Sequence, residues 1–262
     1  MGVLNITPDS FSDGGAYLDP GIAIAAGAAM AEAGADIIDV GGESTRPGSY
    51  QTDPEMERAR ILPVIHELAQ RGLCVSVDTR HAATMSAALD AGAAIVNDVT
   101  GLSFDPESIR VVAKHDCPVV LMHTRGTPAT MNAHAVYNDV AAEVAAELAA
   151  RVAAAEAAGI ARARIAIDPG IGFAKLAPHS VSLLGRLREL TVLGFPIVVG
   201  VSRKSFLGRI GGEREPRRRA PASLAAGLFA LNHGAHILRV HDVAETVQAI
   251  RVWRVLAVGR MD

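Results

Sequence analysis

Eight short apolar runs, most of them closed by a polar residue, alternate with stretches of helical period along the whole chain. The runs predict strands at Gly2–Ile6, Asp36–Val40, Leu73–Asp78, Ala94–Asn97, Pro118–His123, Arg164–Asp168, Pro196–Val201 and Ile237–His241. Helices are predicted near 20–34, 54–71, 81–91, 106–115, 138–158, 179–190, 221–233 and 243–257. The clearest is 138–158, where Val140, Val144, Leu148 and Val152 form an apolar stripe, Glu147 and Arg151 are spaced as a supporting pair, and Gly159 supplies the stop. Strictly alternating elements demand a parallel sheet, because each helix carries the chain back to the same end. Such strands are covered on both faces and need aliphatic side chains throughout. The chain complies, with half its residues hydrophobic and only 4% aromatic.

Two architectures satisfy that pattern, an open doubly wound sheet and a closed (β/α)8 barrel. An open nucleotide-binding sheet carries GxGxxG or a Walker loop after its first strand. Neither occurs, and the dipeptide Gly-Lys is absent altogether. The reading is therefore α/β, a single (β/α)8 TIM barrel over residues 1–262, with its active site at the C-terminal ends of the strands. A short segment is expected to precede Met1, because the first strand begins so abruptly.

The strand C-termini carry Asn5, Asp39, Asp78, Asn97, His123, Asp168, Ser202 with Lys204, and Arg239 with His241. Any one of them has a structural explanation as a helix cap, loop anchor or ion pair. A whole rim of them points to chemistry. Asp78, Asn97 and Asp168 suit a flat heterocycle whose amino and ring N–H groups face carboxylates, with Lys204 donating to its opposite edge. Arg46, Arg239 and His241, with Thr45, make an anion site, since arginine's fork matches phosphate oxygens. Ser205, where the chain enters a helix, offers a further anion position.

The segments Asn5–Gly15, Asp39–Gly48, Asp168–Phe173, Ser202–Gly208 and Arg239–Val243 together resemble the dihydropteroate synthase family in order and spacing, over nearly the whole chain. The resemblance implies a transferase of folate biosynthesis. It would join 6-hydroxymethyl-7,8-dihydropterin pyrophosphate to 4-aminobenzoate by a dissociative route, with Mg2+ as cofactor and sulfonamides as competitors. It also implies roles. Asp78, Asn97, Met122, Asp168, Phe173 and Lys204 would hold the pterin, and Asn5, Thr45, Arg46, Arg239 and His241 the Mg2+–pyrophosphate, with Asn5 on the metal. Phe11, Pro47 and Ser205 would hold aminobenzoate, and Asp13 would lie on the mobile first loop. Asp78, Asp168, Lys204 and Arg239 would carry catalysis, and loops 7–19 and 41–53 would close over the intermediate. Ala174 reads as a tolerated loop variation. The family tends to dimerise, and the last helices are the expected contact. A methyltetrahydrofolate-type methyl-transfer module and a silent pterin-binding paralogue are the alternatives. The pyrophosphate and aminobenzoate features disfavour the first, and the intact Asn5, Arg46, Lys204 and Arg239 the second.

Other classes are disfavoured by composition. A net charge of −3 gives no general attraction to nucleic acid, and no apolar run reaches the ~18 residues of a membrane helix. With no secretory leader, a cytoplasmic location is expected, and Cys74 and Cys117 read as buried reduced thiols. His66-Glu67 does not complete HExxH, the charged stretch 213–219 reads as a solvated loop, His123 as a packing residue, and Trp253 as core or subunit contact.

Overall fold

The computed structural model describes residues 1–7, 18–46, 48–49 and 51–259. Phe11, Asp13 and Pro47 lie outside the described residues, as does most of the first loop. The strands are β1 (Gly2–Asn5), β2 (Ile38–Gly41), β3 (Val75–Asp78), β4 (Ile95–Asp98), β5 (Val119–Met122), β6 (Ile165–Asp168), β7 (Val198–Val199) and β8 (Ile237–Leu238). β1 to β6 pair in sequence order and β7 pairs with β8, every pair parallel. Two parallel bridges, Ile167 with Ile197 and Gly2 with Val240, join these sheets at both seams. At the second seam Val3 N–H donates to the Val240 carbonyl and Val240 N–H to that of Met1, each at 2.9 Å. The expected barrel is thus closed, and closure leaves no strand edge unpaired.

The helices among the described residues are α1 (Pro20–Glu32), α2 (Pro54–Gln70), α3 (Ala82–Asp90), α4 (Ser108–His115), α5 (Val140–Ala157), α6 (Ala177–Gly185), α7 (Ser205–Gly211), α8 (Ala220–Asn232) and α9 (Val243–Val258). Local chemistry starts several of them. Asp19, Asp53 and Asp139 accept N–H bonds from the first turns of α1, α2 and α5, and a proline opens α1 and α2. The short α7 was not among the eight predicted helices. The predicted 179–190 helix ends at Gly185 and continues as a tighter 3-10 turn over Leu187–Leu193.

Strand alternation separates two environments. Leu4, Val40, Val77, Val96, Leu121, Ile167, Val199 and Leu238 belong to the continuous core between barrel and helices. The alternate positions, among them Asn5, Asp39, Asp78, Asn97, Met122, Asp168 and Arg239, fall on the barrel's inner face.

Three expectations are corrected. Cys74 is exposed while Cys117 is buried, although each sits just before a strand, β3 and β5. Glu147 pairs with Arg125 and His123 rather than with Arg151. Trp253 is only half-buried on α9, its indole N–H donating to Asn232 Oδ1 at 3.2 Å, so it is not a core residue.

Candidate active site

Parallel register assembles the rim. Asn5 pairs with Gly41, Gly41 with Asp78 and Asp78 with Asn97, which sets four strands at one height. Met122 pairs with Asp168 on the far side. Gly41 leaves a gap in that row, since a Cβ there would stand 3.4 Å from the Asp78 Cβ and 3.6 Å from Asn5 Oδ1.

Arg239 bridges the row. Its Nε donates to Asp39 Oδ2 and its Nη2 to Asp78 Oδ2, both at 2.6 Å, and Asn97 Nδ2 donates to the same Asp39 oxygen at 3.1 Å. Asp39 is fully buried. The sequence reading grouped Arg239 with the anion site, apart from the carboxylates; the structure sets it between them. The physical reason is that buried carboxylates need a counter-charge, and removing it would leave them uncompensated. Burial pushes the Asp78 carboxyl up against the pull of Arg239, and Asp39, Glu57 and Asp98 add to the push. Asp168 is also raised by burial, opposed first by the Gly170 N–H that donates to its Oδ1 at 2.7 Å and then by Lys204 and Arg239.

Lys204 faces these acids from the loop after β7. Burial lowers its ammonium to about 8 despite the attraction of Asp168, and its Nζ lies 4.1 Å from the centroid of the Phe173 ring. Its neighbour Arg203 is held at φ 59°, a conformation L-residues avoid. Arg203 N–H donates to Ser223 Oγ at 2.9 Å, Arg219 Nη1 donates to the Arg203 carbonyl at 3.0 Å, and Arg203 Nε donates to Asp242 Oδ2 at 3.1 Å. These bonds hold a strained turn that points Lys204 at the site. His241 is driven down to about 3, first by burial and then by Arg203, Arg239, Lys204 and Arg46, so the ring is neutral and meets an anion by N–H donation rather than charge. It shares a 3.0 Å hydrogen bond with Ser202 Oγ through Nδ1.

The Asp168–Phe173 turn depends on Gly170. Its φ is +65°, and a Cβ would fall 2.0 Å from the His123 carbonyl oxygen. Beyond it, Lys175 was not singled out from the sequence, where nothing distinguishes it from a surface lysine. Here it is buried, with Nζ 2.8 Å from His123 Nδ1 and 2.9 Å from the Phe173 carbonyl, and burial lowers it to about 7. His123, read as a packing residue, is buried between two charged side chains, with Glu147 on its other nitrogen at 3.1 Å.

Above the rim opens a cavity of about 660 Å³ whose walls include Asn5, Thr45, Arg46, Asp78, Phe173, Lys204, Ser205, Arg239 and His241. A recess of about 40 Å³ adjoins it, lined by Asn97, Met122 and Asp168 together with Phe173, Lys204, Arg239 and His241. Every predicted site residue that is described lines one of these two spaces, and Lys204 and Arg239 line both. The predicted heterocycle cluster is thereby split, with Asp78 in the large cavity and Asn97 and Asp168 in the recess. Asn5 offers a hard amide oxygen, and among the described residues no group of three or more His, Cys, Asp or Glu is arranged to hold a metal. That donor set fits Mg2+ carried in on phosphate oxygens, since Mg2+ keeps much of its shell and needs few protein ligands.

A closed parallel barrel with opposed acids and bases at its upper mouth defines an enzyme of the pterin-binding class, and the family model described as pterin binding enzyme matches residues 1–241. The dihydropteroate synthase of Mycobacterium leprae (strain TN) is 49% identical over 258 residues, covering 96% of this chain and 91% of its own. The solved structure of Xanthomonas albilineans dihydropteroate synthase with 4-aminobenzoic acid superposes with a TM-score of 0.91 at 45% identity, covering 100% of this chain and 93% of that one. A Yersinia pestis dihydropteroate synthase in a sulfonamide drug complex gives 0.94 at 39% identity, covering 99% and 93%. The chain belongs to the dihydropteroate synthase family.

Proposed function

We propose that this chain condenses 6-hydroxymethyl-7,8-dihydropterin pyrophosphate with 4-aminobenzoate, releasing pyrophosphate and 7,8-dihydropteroate. The observation that carries the reading is that Arg239 and Lys204 line both the large cavity and its adjoining recess, with buried Asp78 on the first, buried Asp168 on the second and fully buried Asp39 paired to Arg239 beneath them. Asp168, Asn97 and Asp78 accept from the amino and ring N–H groups of the pterin, while Lys204 donates to its carbonyl edge and Met122 and Phe173 pack on the ring. Thr45, Arg46, Arg239 and His241 take the pyrophosphate oxygens, and Ser205, with Phe11 and Pro47 beyond the described residues, takes aminobenzoate.

The C–O bond to the pyrophosphate breaks first, and its electron pair leaves with the phosphate oxygen. The methylene left behind carries positive charge shared with the pterin, and the neighbouring carboxylates stabilise it electrostatically. The neutral aniline nitrogen then donates its pair to that carbon and passes a proton to the released pyrophosphate. Asn5 would hold Mg2+ together with the pyrophosphate, and the ion would supply charge neutralisation for the leaving group. Exposed Phe229 on α8 and Val252, Val255 and Leu256 on α9 support a homodimer through those neighbouring helices. The two free thiols support a cytoplasmic location, and no helix of the described residues is long and apolar enough to cross a membrane. Sulfonamides are the expected inhibitors at the aminobenzoate position. The test is pyrophosphate release from the pterin ester with and without aminobenzoate. Release that requires aminobenzoate and is lost in Lys204→Ala supports the assignment; absence of aminobenzoate-dependent release in the unaltered protein overturns it.

A further inference from the structure

The loop between β2 and α2 carries Thr45 and Arg46, and both of its ends meet on one carboxylate. Arg80 Nε donates to Glu43 Oε2 at 2.8 Å and Arg80 Nη2 to Glu43 Oε1 at 2.9 Å, with both side chains only 4% exposed. Thr52 N–H, at the loop's far end, donates to the same Oε1 at 3.0 Å. The next residue repeats the tie. His81 Nε2 lies 3.2 Å from Gln51 Nε2, and His81 Nδ1 lies 3.0 Å from the buried Glu57 Oε2. Loop residues 43 and 51 are thus fastened to consecutive residues, 80 and 81, and Thr52 is tied to them through Glu43.

Arg80 stands two residues after Asp78 at the top of β3. Its guanidinium lies 4.1 Å from the centroid of the Phe104 ring, so the fork is fixed on one side by an aromatic face and on the other by Glu43. Bidentate pairing on a stacked guanidinium sets orientation as well as charge. One short stretch of chain therefore reads the heterocycle through Asp78 and fixes the phosphate loop through Arg80.

We propose that Glu43 and Arg80 are positioning residues that hold the β2–α2 loop in the geometry that binds the pyrophosphate end of the substrate, acting through Thr45 and Arg46. The inference rests on the synthase reading above. With three N–H donors on its carboxylate, Glu43 serves the loop. A buried charged pair that merely stabilised the barrel would affect both ends of the substrate alike; a pair that sets this loop affects one.

The experiment is calorimetric titration of Arg80→Lys and Glu43→Gln with two ligands, 6-hydroxymethylpterin and its pyrophosphate ester in the presence of Mg2+. Lysine keeps the charge but loses the fork, and glutamine keeps the shape and an acceptor for Thr52. Both variants are expected to bind the unphosphorylated pterin within twofold of the parent and the ester at least tenfold more weakly. In an Arg46→Met background, Arg80→Lys is expected to add less than a further twofold loss for the ester, because the residue it positions is gone. Glu43→Asp serves if either variant fails to fold, with the same expected split. Equal losses for both ligands, no loss for either, or full additivity with Arg46→Met overturns the proposal. Failure of the unaltered protein to bind 6-hydroxymethylpterin overturns the synthase reading instead.

Discussion

Lys204 sets a measurable pH limit on substrate capture. Burial lowers the ammonium to about 8, and in the proposed role only its charged form offers three donor hydrogens to the pterin edge. At pH 9 about one molecule in eleven keeps that proton, so kcat/KM for the pterin ester should fall about tenfold from pH 7 to 9, with a slope near −1 beyond 8. Stability should move the other way. An unfolded lysine titrates near 10.4, so between about 8 and 10.4 the unfolded chain binds more protons than the folded one. Stability from this group therefore rises with pH across that window, by up to about 1.4 kcal/mol per unit. The assays are initial rates at subsaturating ester from pH 6 to 10, and urea melts of the parent and Lys204→Met over the same range. The parent should gain on Lys204→Met in the melts while it loses kcat/KM. Lys204→Arg, which stays charged, should erase the alkaline limb whatever its absolute rate. An unmoved limb in Lys204→Arg, or parallel melts for parent and Lys204→Met, refutes the assignment.

Two further substitutions probe the scaffold under that site. Gly170→Ala adds a left-handed penalty of about 1–2 kcal/mol to a clash that sets the new Cβ only 2.0 Å from a backbone carbonyl oxygen; a loss above about 2 kcal/mol in a urea melt, together with loss of pterin binding, is expected, and an unchanged melt would show that the turn relaxes freely. Asp39→Asn removes one of the two carboxylates on Arg239; breaking a buried pair costs about 3–5 kcal/mol, and since Asp78 remains, the lower end of that range is expected in the same melt, with a loss under 1 kcal/mol arguing that Asp78 alone suffices as counter-charge.

The barrel was legible because two periods, strand and helix, are written in different residue spacings, and eight alternations leave few closed solutions. The site was legible for a related reason. A parallel barrel points every strand the same way, so polar residues far apart in sequence, such as Asn5, Asp168 and Arg239, reach one rim. What stayed hidden depends on contacts across the rim. Nothing local marks Lys175 as buried, Arg80 as the partner of Glu43, or Arg239 as a bridge between acids, since each depends on which strand stands opposite. Ala174 is a similar case. It sits at φ +48° where glycine would be unstrained, and its carbonyl accepts the Tyr137 hydroxyl at 3.0 Å, a long-range bond no sequence window contains.

The bridge formed by Arg239 links the site's architecture to its chemistry. Three buried acids, Asp39, Asp78 and Asp168, lie among Arg239 and Lys204, so within this inner group full ionisation leaves one negative charge over, while Arg46 and Lys175 add positive charge around it. Burial opposes that excess by raising Asp78 and Asp168. A substrate that gains positive charge on its pterin methylene as pyrophosphate departs relieves the imbalance, and does so most at the transition state. The arginine that pairs with Asp39 and Asp78 also lines both the cavity and its recess, so in the proposed reaction one side chain would answer both the departing anion and the acids that face the cation. The charge separation of the proposed reaction is thus met by fixed charges of both signs that the fold already holds at the rim, with no reorganisation of solvent needed to create them.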